Sequence, residues 1–143
     1  MTTVKQVLQA KGYAIWSIAP DVSVYDALKL MADKEIGALL VLEGEKVVGI
    51  ISERDYARKV ILKGKRSADT PVREIMTEHV LYVRSDQSIE ECMALMTARH
   101  IRHLPVYEGD RLIGVVSIGD VVKSIISHQE FIIEQLQRYI EGG

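Results

Sequence analysis

The chain has 143 residues, 18 basic and 20 acidic, for a net charge of −2: long enough to bury its own core, and too balanced to favour nucleic acid or an anionic membrane as partner. No apolar run approaches the length of a membrane span, and Met1 to Gly12 carries no signal-peptide pattern. The single cysteine, Cys92, excludes an internal disulfide and suits a reducing compartment, so a cytoplasmic protein without membrane contact is expected.

Val4, Val7 and Leu8 have helical spacing, and Gly12 ends that segment. Ala14 to Ile18 is predicted as a short strand broken at Pro20-Asp21. Ser23-Val24-Tyr25-Asp26 is a helix start close to the capping box, followed by an apolar face of Val24, Ala27, Leu28 and Met31. Ile36 to Leu42 is predicted as a buried strand, Glu43-Gly44-Glu45 as a hairpin turn, and Lys46 to Ile51 as the antiparallel return. Ser52 caps a second helix carrying Tyr56, Val60 and Ile61, and the polar stretch Gly64 to Asp69 is the best boundary.

The order then begins again. Thr70-Pro71 is expected to cap a short helix with Val72, Ile75 and Met76 on its apolar face. Val80 to Val83 is a predicted strand, and Ser88-Ile89-Glu90-Glu91 a capping box ahead of Ile89, Cys92, Met93 and Met96. Ile101 to Tyr107 is a strand interrupted at Pro105, Glu108-Gly109-Asp110 turns, and Arg111 to Val116 returns. Ser117 starts a last helix, whose apolar spacing from Val121 through Ile126, Ile133 and Leu136 to Ile140 outruns the first copy. Its tail has no partner within the chain, so a homodimer that buries it between two copies is expected.

At a shift of 65 residues, Asp21, Ser23, Leu30, Met31, Ile36, Leu39, Val41, Glu43, Gly44, Gly49, Ser52 and Asp55 all meet identical residues. Caps and turn glycines in one register mark an internal duplication. The expected architecture is α/β: two tandem β-α-β-β-α units, residues 1–69 with the N-terminal helix and connector, and 70–143 with the extended C-terminal helix. Each unit buries its sheet poorly alone, so the two are expected to pack with pseudo-twofold symmetry.

Each unit ends on the same motif, Gly49-Ile50-Ile51-Ser52-Glu53-Arg54-Asp55 and Gly114-Val115-Val116-Ser117-Ile118-Gly119-Asp120. A carboxylate accepts two hydrogen bonds from a cis-diol, and a helix N-terminus offers free N–H groups to phosphate. The competing reading is equally concrete, because Ser-x-x-Asp also simply caps a helix, as at Ser23.

These residues, with the helix runs Val24 to Met31 and Ile89 to Met96, the Ile36 to Glu43 strand and turn, and Ile101-Arg102-His103-Leu104-Pro105-Val106, resemble a pair of CBS domains, a Bateman module of the small stand-alone type. The resemblance covers nearly the whole chain. It implies a non-catalytic regulatory module that binds adenosyl ligands (AMP, ADP, ATP, NAD or S-adenosylmethionine) in clefts between the repeats, and that passes a signal to an unidentified protein partner. It places Ser52, Asp55, Ser117 and Asp120 at ribose and phosphate. Arg54, Arg102 and His103 are candidates for phosphate, and Ile15, Ile36, Val80 and Ile101 for an adenine pocket. The competing function is a dimerisation module with empty clefts. Arg54 faces a glycine, Gly119, in the second copy, so the two clefts are expected to differ at the phosphate.

No catalytic or metal site is expected. His100-x-x-His103 straddles a helix end and a strand, and the other histidines, His79 and His128, lack ligand spacing. Cys92 replaces Ala27 of the first copy on a buried helix face and is expected to fill core.

Overall fold

The computed structural model describes residues 2–142. The chain forms two compact units: an inner one, Ile15–Leu81, and an outer one made of the N-terminal stretch to Ala14 with the chain from Tyr82 onward. Each contains one three-stranded sheet in a mixed α/β arrangement.

In the inner unit the elements are β1 (Ser17–Ile18), α2 (Val24–Lys34), β2 (Ala38–Glu43), β3 (Lys46–Ser52) and α3 (Glu53–Tyr56), which runs on as a π-helical turn over Ala57–Ile61. The sheet order is β1-β2-β3, with β1 parallel and β3 antiparallel to β2. The core is built from one face of each element: Val24, Ala27 and Met31 of α2, Leu39 and Val41 of β2, Ile51 of β3, then Val60, Val72 and Ile75.

The outer unit repeats this with β4 (Val83–Arg84), α4 (Ile89–Arg99), β5 (His103–Glu108), β6 (Arg111–Ser117) and α5 (Ile118–Ile140), and adds α1 (Val4–Lys11). Its sheet order is β4-β5-β6 with the same parallel and antiparallel pairings. Val4, Val7, Leu8, Ile89, Cys92, Met96, Leu104, Val106, Val116 and Val121 are its buried apolar residues, with Val83. The duplication extends to detail. Both hairpins turn on a glycine at φ 63°, Gly44 and Gly109, and the equivalent helices α2 and α4 end on a left-handed residue at φ 54°, Glu35 and His100. Both hairpins also bulge at the equivalent step, Val41/Leu42 and Val106/Tyr107.

Several local expectations are corrected. The strands expected at 14–18 and 80–83 shrink to Ser17–Ile18 and Val83–Arg84, edge strands paired on one side only. Thr70 is not a helix cap: its hydroxyl donates to the Arg66 carbonyl (2.7 Å), and Val72–Glu74 makes a single 3₁₀ turn. At Ser88 the reciprocal half of the box differs, since the hydroxyl donates to the Glu91 carboxylate (3.3 Å) while accepting the Glu91 N–H (3.1 Å).

The equivalence also reaches segments outside the 65-residue register. The Val24 N–H donates to Thr70 O (2.8 Å) as the Ile89 N–H donates to Thr2 O (3.1 Å). Val72 binds Val22 O (2.8 Å) as Val4 binds Gln87 O (2.9 Å). Thr2-Thr3-Val4-Lys5-Gln6-Val7-Leu8 thus matches Thr70-Pro71-Val72-Arg73-Glu74-Ile75-Met76. Each lead segment completes the sheet unit of the other repeat.

Candidate functional site

The two motif glycines have a local cause. Neither has a positive φ. A Cβ on Gly114 would meet Leu8 Cδ2 at 2.9 Å, and one on Gly49 would meet Met76 Sδ at 2.6 Å and the Thr77 carbonyl at 3.0 Å. The glycines let the lead segment lie directly on the returning strand.

From that strand the chain turns into a helix through a complete capping box. In the outer unit the Ser117 hydroxyl accepts the Asp120 N–H (3.1 Å), and Asp120 Oδ2 accepts the Ser117 N–H (2.8 Å). The same oxygen accepts from Lys11 Nζ, which also donates to the Val115 carbonyl at 2.9 Å. The Ile118 N–H donates to Arg102 O (2.8 Å), and His103 lies opposite Ser117 across the β5–β6 ladder. Arg102, His103, Ser117 and Asp120 are thereby brought together, with Lys11 added from the far end of the sequence.

Charge tunes this cluster. Burial pushes the Asp120 carboxyl up, but the Lys11 hydrogen bond, the Ser117 N–H, the Lys11 charge and the Ser117 hydroxyl outweigh it, so the group lies below the usual carboxylate range. His103 is held below the ordinary imidazole value, first by burial, then by the Lys11 charge; Asp120 opposes this and Arg102 adds to it. At neutral pH the imidazole is therefore neutral, beside the Lys11 and Arg102 side chains.

In the inner unit the Ser52 hydroxyl accepts the Asp55 N–H (3.2 Å), and Asp55 Oδ2 accepts the Ser52 N–H (3.0 Å) and hydroxyl (3.1 Å). Lys59 Nζ reaches Asp55 Oδ1 at 3.1 Å and donates to the Ile75 carbonyl at 2.9 Å. Arg54 is exposed and makes no ion pair among the described residues. Gly37 and Ala38 stand where the outer unit has Arg102 and His103. A pocket of about 450 Å³ opens beside this turn, lined by Glu35, Ile36, Gly37, Glu53 and Tyr56 along one side of α2. Ile36 is thus a pocket residue; Ile15 and Val80 are half-buried elsewhere in the inner unit, and Ile101 is half-buried in the outer one.

The sequence reading missed both lysines. Lys59 was legible, being four residues from Asp55 on one helix face. Lys11 was not, since 109 residues separate it from Asp120.

The CBS-domain family profile matches residues 11–62 and 72–127. This chain belongs to the CBS-domain family. It is 40% identical over 152 aligned positions to the mitochondrial CBS domain-containing protein CBSX3 of Arabidopsis thaliana, covering 99% of this chain and 73% of that protein. Among solved structures, a CBS-domain protein from Burkholderia ambifaria MC40-6, provisionally ascribed to signal transduction, is 55% identical, with a TM-score of 0.87 over 90% of this chain and 96% of that one. The CBS domain pair of protein MJ0100, solved with 5′-methylthioadenosine and S-adenosyl-L-methionine, is 25% identical, with a TM-score of 0.79 over 90% and 98% of the two chains. This CBS pair is therefore a small tandem module, similar to one protein provisionally ascribed to signal transduction and to another solved with adenosyl ligands. Among its described residues no helix is long and apolar enough to cross a membrane.

Proposed function

We propose that this CBS pair is a non-catalytic cytoplasmic sensor, acting as a homodimer, that takes an adenosyl ligand (AMP, ADP, ATP, NAD or S-adenosylmethionine) at its strand-to-helix turns. Ser117 and Asp120 address the ribose in the outer unit, and Ser52 and Asp55 in the inner one. Arg102 and Lys11 attract phosphate in the outer unit, where the neutral His103 offers it a hydrogen bond, and Arg54 is the inner unit's basic group nearest its turn in sequence. Half-buried Ile15, Ile36, Val80 and Ile101 offer apolar surface to adenine. The observation that carries the reading is the Asp120 turn: an ionised carboxylate fixed by Ser117, with Lys11, Arg102 and His103 gathered around it. Asp120 Oδ1 makes no hydrogen bond among the described residues, so a ribose hydroxyl has an acceptor there.

A second reading is favoured by one observation. Both carboxylates already satisfy a cap and a lysine, so the motif is stable without ligand; the chain would then be a dimerisation module. Calorimetry with AMP, ATP, NAD and S-adenosylmethionine separates the two. The sensor reading expects heat from at least one ligand, weakened roughly 10- to 150-fold by Asp120→Asn or Asp55→Asn, the loss of a hydrogen bond to a charged group. No heat from any of them sinks it in favour of the dimerisation module.

A further inference from the structure

The family match ends at residue 127, yet α5 continues to Ile140. Val121 is fully buried in the outer unit, while Ile133, Leu136 and Ile140 are 55%, 56% and 80% exposed. The helix thus has two apolar stripes, one used and one free. The free stripe is Val122, Ile126, Gln129, Ile133, Leu136 and Ile140, with steps alternating four and three residues. That is a heptad seam with isoleucine at each a position, and valine, glutamine and leucine at successive d positions.

We propose that α5 pairs through this seam with α5 of a second copy of this chain, in antiparallel orientation. The occupant follows from area and from self-complementarity. The exposed apolar surface of the seam and its flank is on the order of 700 Å² per copy, near the roughly 800 Å² per partner of standard-size interfaces. An uncharged stripe that is branched and apolar at every a and d position but Gln129 complements itself, and a twofold contact needs only one such patch.

The orientation follows from the flank. The g positions, Ile125, Ile132 and Tyr139, are apolar, so three positions in seven face a partner. The e positions are Lys123, Glu130 and Gln137. A parallel pair sets g against e and would leave Ile125 beside Glu130, and Ile132 beside Gln137. An antiparallel pair sets g against g: Ile132 meets its own copy at the twofold axis, and Ile125 meets Tyr139. The a and d layers then match Ile126 with Leu136, Ile133 with Gln129, and Val122 with Ile140. The unfavourable contacts are Glu130 near its own copy at the solvent edge and the polar Gln129 in a core layer against Ile133.

This pairing deepens the homodimer of the proposed function, and one cross-linking experiment separates the two claims. Full-length chains carrying Val122→Cys and Ile140→Cys are mixed and bridged with a short bismaleimide; the native Cys92 is buried and stays unmodified. The expected product is the mixed Val122→Cys/Ile140→Cys dimer, with little self-linking of either variant. Self-linked Val122→Cys chains would overturn the antiparallel orientation. Sedimentation of an Ile133→Glu/Leu136→Glu variant is expected to give monomer, with circular dichroism unchanged through the rest of the fold. A dimer that survives those substitutions would overturn the α5 interface while leaving a dimeric sensor standing. A wild-type monomer at tens of micromolar would overturn both.

Discussion

Gly114→Ala tests whether the motif glycine serves packing or a ligand. The added Cβ lands 2.9 Å from Leu8 Cδ2 and 3.0 Å from Cδ1. Leu8 is fully buried, so its side chain would have to shift within a close-packed core. Overpacking of this kind costs about 1–3 kcal/mol, which at roughly 2–4 °C per kcal/mol for a chain of this size is a fall of about 2–12 °C. The informative comparison is the same substitution in a Leu8→Ala background. Leu8→Ala alone costs about 2–5 kcal/mol, but it deletes the very atoms that the new Cβ would meet. In that background Gly114→Ala should be neutral or mildly stabilising, because alanine is preferred over glycine within a strand. The coupling, read from urea denaturation followed by circular dichroism, should therefore exceed about 1 kcal/mol. An equal cost of Gly114→Ala in both backgrounds would refute the packing argument. So would unchanged stability with lost ligand binding, which is the signature of a glycine kept for a ligand's approach.

Two further outcomes follow from the charge arrangement. The folded Asp120 carboxyl lies below its ordinary 3.8, so its contribution is present above about that pH and is lost as pH falls through the folded value. Lys11→Met should raise the Asp120 titration midpoint seen by carboxyl NMR and flatten the acid limb of the stability curve by about 1 kcal/mol, a partly exposed pair being discounted for screening; an unmoved midpoint would remove Lys11 from the site. Burial pushes the Cys92 thiol up from 9.0 to about 11, so it should resist a disulfide reagent at pH 8 until the chain is unfolded; rapid reaction of the native protein would contradict the buried placement.

The large elements were legible because their signals were redundant. Ser23, Ser52, Ser88 and Ser117 each cap a helix as their spacing predicted, and the glycines at 44 and 109 turn hairpins. The duplication register made each half a check on the other. What escaped were contacts between distant parts of the sequence. The lead segments match at a shift of 68, Thr2 with Thr70 and Val4 with Val72, so a single register of 65 passes over them. Without that match, nothing in the sequence joins Lys11 to Asp120 or Leu8 to Gly114. Edge strands were overextended because apolar runs rich in β-branched and aromatic residues, such as Val80 to Val83, satisfy a strand pattern, whereas pairing on one side supports only two residues. Arg54 looked distinctive because its neighbours in sequence were in view and its neighbours in space were not.

The difference between the two turns is one of surrounding charge and is not confined to Arg54 against Gly119. Around Asp120 stand Lys11, Arg102 and His103. At the positions equivalent to Arg102 and His103 the inner unit has Gly37 and Ala38, and its pocket is lined by Glu35 and Glu53. Each motif carboxylate has its own lysine, Lys59 at Asp55 and Lys11 at Asp120, so the balance met by a phosphate chain differs through Arg102 in the outer unit and the pocket carboxylates Glu35 and Glu53 in the inner one. A sulfonium cation meets the opposite balance. Each charge pair near a protein surface is worth up to a few kcal/mol before screening, enough to separate affinities by tenfold or more. If the turns bind adenosyl ligands as proposed, Asp120→Asn should weaken ATP binding by roughly 10- to 150-fold and spare that of S-adenosylmethionine, with Asp55→Asn doing the reverse. The ATP response should also weaken with added salt, whereas that to S-adenosylmethionine, a zwitterion with one extra positive charge, should weaken less. A single variant that removes both responses would mean that one turn serves both ligands, and the charge difference would then carry no selectivity.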